Sequence, residues 1–327
     1  MIQILSKRKH LREWSSMTER LDILPIAQAD GRGYSPAVQA YFDHYGLNGK
    51  PFGTEHLFGM FPSGDFTLAG HLFRPTQYTA TVILVHGYLN HSGQFRHLIP
   101  YLLERGLAVG VFDLPGHGLS TGDEAAIDAM SQYTQAVQDF VAATGQWGRP
   151  QYVAVGFSLG GAILMDLLLN GRAAAFEKVV LAAPLVHWSL YEQSKGTYKV
   201  YSAFTDRIPR FYQKNSSDRD YLVFNRTQDY LHRKSLSLRW VKAMFDWNTA
   251  LEKMPPCPMP IQVIQGDKDT TVDWRYNLNI VREKIPNAEI QMIHGARHEL
   301  FNEVIELRRQ AMDLIGDYTR QILSKKQ

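Results

Sequence analysis

Hydrophobic positions in this chain gather into short runs dominated by apolar residues. Six such runs, apolar and rich in β-branched residues, occupy residues 80–85, 108–112, 152–155, 178–183, 261–264 and 289–293. An uninterrupted apolar run of roughly four to eight residues suits a strand covered on both faces. Between most of them lie stretches with apolar residues at helical spacing, at residues 95–104, 133–143 and 304–322. Strands alternating with helices predict a mainly parallel sheet with helices on both faces. Ahead of the first run, residues 56–61 and 66–73 flank Pro62-Ser63-Gly64-Asp65. That punctuation predicts an antiparallel hairpin opening the sheet.

The alternation breaks once, over residues 187–258, where aromatic residues are frequent and no strand is convincing. This segment reads as a helical insertion, a cap or lid over a pocket, with most of its aromatics packing it onto the main domain. Aromatics interleaved with Arg and Lys can also stack nucleic-acid bases, but no RNA-binding motif or basic excess accompanies them. Residues 36–45 form a short amphipathic helix candidate followed by Gly46, read as packing and not as chemistry. The expected organisation is an N-terminal helical extension (1–50), a core (51–186 and 259–327) and a helical lid (187–258).

Composition narrows the class. With 327 residues, 45% hydrophobic and 20% charged, the chain can bury a sizeable core and is neither disordered nor fibrous. A net charge of +3 argues against dedicated nucleic-acid binding. The basic ends, Lys7-Arg8-Lys9 and Lys325-Lys326, leave transient contact with an anionic membrane surface open. The single cysteine, Cys257, excludes an intramolecular disulfide and suits a reducing compartment. The N-terminus lacks the apolar stretch and cleavage site of a secretory signal, and no run reaches about 18 apolar residues. A soluble, cytoplasmic protein is expected.

Chemistry enters at Gly156-Phe157-Ser158-Leu159-Gly160, placed where the run at 152–155 gives way to a strongly apolar helical stretch that ends near Gly171. A serine on so sharp a strand-to-helix turn is crowded by the residues two before and two after it, and glycine relieves the crowding. Ser158 is therefore the candidate nucleophile. A serine hydroxyl needs a base, usually a histidine held by a carboxylate. Gly266-Asp267-Lys268-Asp269 follows the fifth run and His294-Gly295-Ala296-Arg297-His298-Glu299 follows the sixth. Both lie where parallel strands leave the sheet at their carboxyl ends, where such sheets gather ligand sites. His298, beyond its strand, is preferred over His294, which reads as a partly buried structural histidine. Asp267 and Asp269 compete for the orienting role, with Asp273 third. The oxyanion of an acyl-transfer intermediate needs donors. The Leu159 N–H and the Tyr88 N–H, in the loop from His86 to Gly93, are the candidates. His86 and His117, next to glycines in turns, read as loop-stabilising.

Taken in order, His86-Gly87 with Ser92-Gly93, Asp113-Leu114-Pro115-Gly116-His117-Gly118-Leu119-Ser120, the serine elbow, Gly266-Asp267-Lys268-Asp269 and Gly295-Ala296-Arg297-His298-Glu299 resemble the α/β-hydrolase superfamily. Within it, the chain is most similar to the monoacylglycerol lipase and lysophospholipase branch, also grouped as serine aminopeptidase-like hydrolases. The resemblance runs from about residue 56 onward. It implies an α/β-hydrolase fold with a helical lid insertion and needs no metal or organic cofactor. It assigns the orienting carboxylate to Asp269, because this turn in the family reads Gly-x-x-Asp followed closely by a valine, here Val272. It leaves Asp267 to stabilise the turn and makes residues 113–120 structural. Asn90 departs from the acidic residue common before the His-Ser pair, and Leu159 stands where methionine is common. The implied activity is a serine hydrolase cleaving carboxylic esters through an acyl-enzyme. Its partner would be a small-molecule ester with an acyl chain, a monoacylglycerol or a lysophospholipid. A peptidase, an amidase or an acyltransferase would use the same triad, and a non-catalytic binding protein of this fold is the reading from another class.

Overall fold

A hairpin opens the sheet of the structure, a computed structural model that describes residues 25–29, 33–48, 53–145 and 151–320. Strands β1 (Glu55–Ser63) and β2 (Phe66–Arg74) pair antiparallel with Ser63 opposite Phe66, as the turn residues predict. Strand β2 then pairs antiparallel with β4 (Ala108–Phe112). Strands β3 (Thr81–Val85), β4, β5 (Tyr152–Phe157), β6 (Phe176–Ala182), β9 (Ile261–Gly266) and β10 (Ala288–Ile293) are mutually parallel. The order across the sheet is β1-β2-β4-β3-β5-β6-β9-β10. The chain thus reverses direction of travel at β3, with later strands added on one side, and leaves a crevice at the carboxyl ends beside β5. Of the six apolar runs, five are buried throughout or nearly so, whereas β10 is half-exposed along most of its length. It closes the sheet at an edge, where a strand has only one neighbour.

Helices cover both faces. On one side α1 (Pro36–Tyr45), α2 (Leu98–Leu103) and α9 (Ile305–Arg320) pack a core built from Val38, Phe42, Leu98, Leu102, Ala311 and Ile315 against the sheet. Helix α1 begins with Pro36 behind Ser35, whose hydroxyl accepts the Val38 amide, and stops at Gly46 in the left-handed region. On the other side lie α3 (Met130–Thr144), α4 (Leu159–Leu169) and α8 (Trp274–Lys284). Every residue of α4 is buried, as expected of a helix apolar all round. Its one charged residue, Asp166, accepts a hydrogen bond from Trp247 Nε1 at 2.9 Å.

The insertion contributes α5 (Tyr191–Tyr201), β7 (Arg207–Pro209), α6 (Arg219–Thr227), β8 (Ser235–Ser237) and α7 (Leu238–Leu251). It is not purely helical: β7 and β8 pair as an antiparallel ribbon. Strands of three residues are too short to register a period of two, so the sequence pattern does not announce them. Helix α7 sends Trp240, Met244 and Trp247 into the core beside α4. Among the described residues no helix is long and apolar enough to cross a membrane. The basic runs at 7–9 and 325–326, most of the expected extension at 1–50 and the end of the stretch at 304–322 lie outside the described residues.

Candidate active site

Ser158 sits between β5 and α4 with φ 53° and ψ −110°, a conformation that costs a non-glycine residue of order 1–3 kcal/mol. Its amide donates to Ala182 O at 2.9 Å, which fixes the turn to β6. The flanking glycines are required by space. A Cβ at Gly156 would lie 2.3 Å from Gly160 O, and one at Gly160 would lie 2.0 Å from Val85 O. The elbow therefore closes tightly against β3 and holds the serine at the carboxyl end of the sheet.

The structure brings Ser158, His298 and Asp269 together from three separate loops. Ser158 Oγ is 3.0 Å from His298 Nε2, and His298 Nδ1 is 2.7 Å from Asp269 Oδ2. All three are buried. Asp269 Oδ1 accepts the Thr271 and Val272 amides at 2.8 and 3.2 Å, while Gln265 Nε2 donates to Oδ2 at 3.1 Å. These bonds aim one oxygen at the imidazole and fix the tautomer with the proton on Nδ1, leaving Nε2 free to accept from Ser158. Burial favours the uncharged carboxyl in Asp269, but the facing His298, its hydrogen bond and the two amides outweigh that and keep Asp269 below the usual range. Burial likewise opposes charging of His298, and the Asp269 charge and hydrogen bond overcome it, so His298 is raised above 6.5. A histidine that serves as general base works only when neutral, so activity that depends on His298 is expected to fall as pH falls through this raised value. The acidic limb of a kcat/KM profile for a soluble ester is therefore expected above pH 6.5. A limb at carboxylate pH would show that His298 is not the titrating base.

The competing residues lie elsewhere. Asp267 accepts the Gly295 amide at 2.8 Å and pairs with His294 Nδ1 at 3.2 Å, tying the two loops together on the outside. The His294 side chain is 88% exposed, which corrects the partly buried reading: it lies past the end of an edge strand, where nothing covers it. Asp273 caps α8 through the Tyr276 amide. His86 accepts the Leu114 amide on Nε2 and donates from Nδ1 to Gly87 O, and burial pushes its pKa down to about 4. His117 donates to Pro115 O. Both brace loops. Asp113 accepts from the Ser92 amide and hydroxyl and from the Leu119 amide, which joins the turn at 113–120 to the loop after β3.

Facing the serine, Leu159 is the first residue of α4, so its amide has no acceptor within the helix. Tyr88 follows β3 in a loop turned by Leu89 at φ 66°. Its hydroxyl donates to Ala125 O and accepts from Ser237 N, and its ring stacks on Trp240 with centroids 3.6 Å apart. Among the described residues neither the Tyr88 nor the Leu159 amide is bonded to a protein acceptor. Two neighbours escape sequence reasoning. Gln265, polar at the end of an apolar strand, gives a weak signal, whereas Glu299 gives none that separates it from a surface residue. Glu299 is buried beside His298, held by Asn215 and Asn302, and burial pushes its carboxyl up. The insertion touches the loops that carry Asp269, His298 and Tyr88. Ser189 bonds Thr271 O and Thr270 O, Asn215 bonds Glu299, and the Arg233 amide donates to Leu89 O.

A monoacylglycerol lipase from Mycolicibacterium smegmatis is 25% identical to this chain over 237 residues, covering 68% of the chain and 82% of the lipase. An uncharacterized abhydrolase domain-containing protein of Dictyostelium discoideum is 25% identical over 234 residues, 68% of the chain, which spans only 24% of that protein's length. A soluble variant of monoglyceride lipase from Saccharomyces cerevisiae, solved with a substrate analog, superposes with a TM-score of 0.68 at 17% identity, over 79% of this chain and 93% of the lipase. That likeness shows an α/β-hydrolase fold. Residues 76–305 match the family described as serine aminopeptidase, S33, over a span that includes all three loops meeting at Ser158. The chain is a member of this hydrolase family.

Proposed function

We propose that the chain is a serine hydrolase that cleaves carboxylic esters of single-chain lipids, a monoacylglycerol or a lysophospholipid, through an acyl-enzyme on Ser158. The observation that carries the reading is the continuous hydrogen-bonded path from Ser158 Oγ through His298 to Asp269. As the hydroxyl oxygen attacks the ester carbonyl carbon, His298 Nε2 takes its proton, and Asp269 stabilises the imidazolium that forms. The Leu159 and Tyr88 amides donate to the oxyanion of the tetrahedral intermediate. Its collapse breaks the bond to the alkoxy oxygen, which leaves as the alcohol with the proton from His298. Water, deprotonated by the same imidazole, then attacks the acyl-enzyme and releases the carboxylic acid.

The lipid character of the substrate is supported by the named activity of the mycobacterial relative and by the surface of the insertion. Among the described residues, the large apolar side chains that stay exposed are, Ile305 apart, all within 187–258, including Leu190, Val200, Tyr201, Phe204 and Phe211. An apolar outer surface with exposed Lys195 and Lys199 nearby suits transient contact with a bilayer or micelle and a lid role for the segment. Each methylene entering an apolar pocket contributes up to about 0.8 kcal/mol. Across acetyl to octanoyl esters, kcat/KM is accordingly expected to rise at least about tenfold, with monoacylglycerol and lysophospholipid hydrolysed as well. A flat profile would remove the acyl pocket from the reading, and hydrolysis of amides in preference to every ester would replace it with a peptidase.

A further inference from the structure

Helix α1 lies outside the matched family span, yet its last turn reaches the loop that carries Tyr88. Tyr45 is buried, with its ring edge-on to His91 at 4.6 Å between centroids. The ring also covers the Gly93 backbone so closely that a Cβ there would come within 2.8 Å of it. Its hydroxyl donates to Asp229 Oδ1 at 3.1 Å and accepts the Leu231 amide at 3.2 Å. One residue earlier, His44 Nε2 bonds Gln228 O at 3.0 Å, and its ring stacks on Tyr230. The end of α1 is therefore fastened to residues 228–231 of the insertion and to residues 91–93 of the oxyanion loop at once.

Asp229 is the centre of this junction. Besides Tyr45 it accepts from His91 Nε2 at 3.1 Å, Gln94 Nε2 at 3.1 Å, the Leu231 amide at 3.2 Å and the His232 amide at 3.0 Å. A carboxylate so buried persists only while such donors surround it. Despite that burial, the facing His91 holds its carboxyl far below the usual range. The same segment of the insertion continues into Arg233, whose amide donates to Leu89 O at 3.1 Å, and into Ser237, whose amide donates to the Tyr88 hydroxyl at 3.1 Å. The loop from β3 is thus gripped at Tyr88, Leu89 and His91 by one stretch of the insertion, and α1 pins that stretch.

We propose that Tyr45 is a positioning residue for the reaction: by clamping Asp229 against His91 it sets the oxyanion loop and the base of the insertion, and so aims the Tyr88 amide. The assignment rests on the serine-hydrolase reading above. Tyr45→Phe keeps the ring over Gly93 and removes only the hydroxyl. In the full-length protein, with kcat expressed per Ser158 labelled by a fluorophosphonate, this variant is expected to lose about fivefold or more in kcat on a short soluble ester. KM should stay within about twofold, because the oxyanion interaction is made in the transition state. Asp229→Asn should lose more. The double variant should lose markedly less than the product of the two single losses, because both act through one clamp. A kcat for Tyr45→Phe within about twofold of wild type, a change confined to KM, or a multiplicative double variant would overturn the assignment. A wild type that neither hydrolyses esters nor takes the fluorophosphonate would instead remove the serine-hydrolase reading, and this role with it.

Discussion

Ser158→Ala is expected to abolish ester hydrolysis, with kcat falling by at least about 10⁵-fold while the folded protein persists. In the proposed mechanism the serine supplies the atom that forms the acyl-enzyme, so no neighbouring group can take over its step. What survives is binding and the oxyanion donors, which by themselves leave a residual rate over water of roughly 10³- to 10⁴-fold. Folding is spared for a local reason. Alanine meets the same positive φ that serine already tolerates at the elbow, and the hydroxyl's hydrogen bond is to His298, not to a group that holds the sheet together. Hydrolysis of a soluble ester and thermal unfolding, measured on the same preparation, test both halves. A residual rate within tenfold of wild type in a properly folded variant would place the nucleophile elsewhere.

The core was readable because the buried strands are short segments dominated by apolar residues. Residues 108–112 coincide with β4, and the runs that begin near residues 80, 152 and 261 start within one residue of β3, β5 and β9. The ends of β5 and β9 were less readable, since Gly156, Phe157, Gln265 and Gly266 belong to the turn chemistry while still pairing in the sheet. Ser158 and His298 followed from their turns. Asp269 did not, because a carboxylate two residues away at Asp267 has the same chemistry and only the resemblance chose between them. Three-dimensional placement supplies the reason for a difference: Asp269 is buried under the imidazole, and Asp267 is bonded to the exposed side of the next loop. The ribbon in the insertion, the buried Glu299 and the clamp between Tyr45, His91 and Asp229 left no pattern to read. Tyr45 and Asp229 are 184 residues apart, and local periodicity carries no information about so distant a contact.

That distinction is open to a direct contrast, because Asp269→Asn should cost about 10⁴-fold in kcat while Asp267→Asn stays within about threefold of wild type. Asparagine at 269 can still accept the Thr271 and Val272 amides through its carbonyl oxygen, which turns its amide nitrogen toward His298 Nδ1 and Gln265 Nε2. Two donors then face that nitrogen. The imidazole relieves the conflict by moving its proton to Nε2, and in that tautomer it has no lone pair for the Ser158 hydroxyl. The charge that raises His298 above its ordinary pKa is lost as well, so the residual activity should titrate at lower pH than wild type. Asp267→Asn keeps an oxygen for the Gly295 amide and disturbs only an exposed pair with His294, of the kind worth little in water. The pH–rate profiles of the two variants, taken beside wild type, would therefore identify the orienting carboxylate. Should the large loss and the shifted limb appear in Asp267→Asn instead, the geometry around His298 in solution would have to differ from the one described.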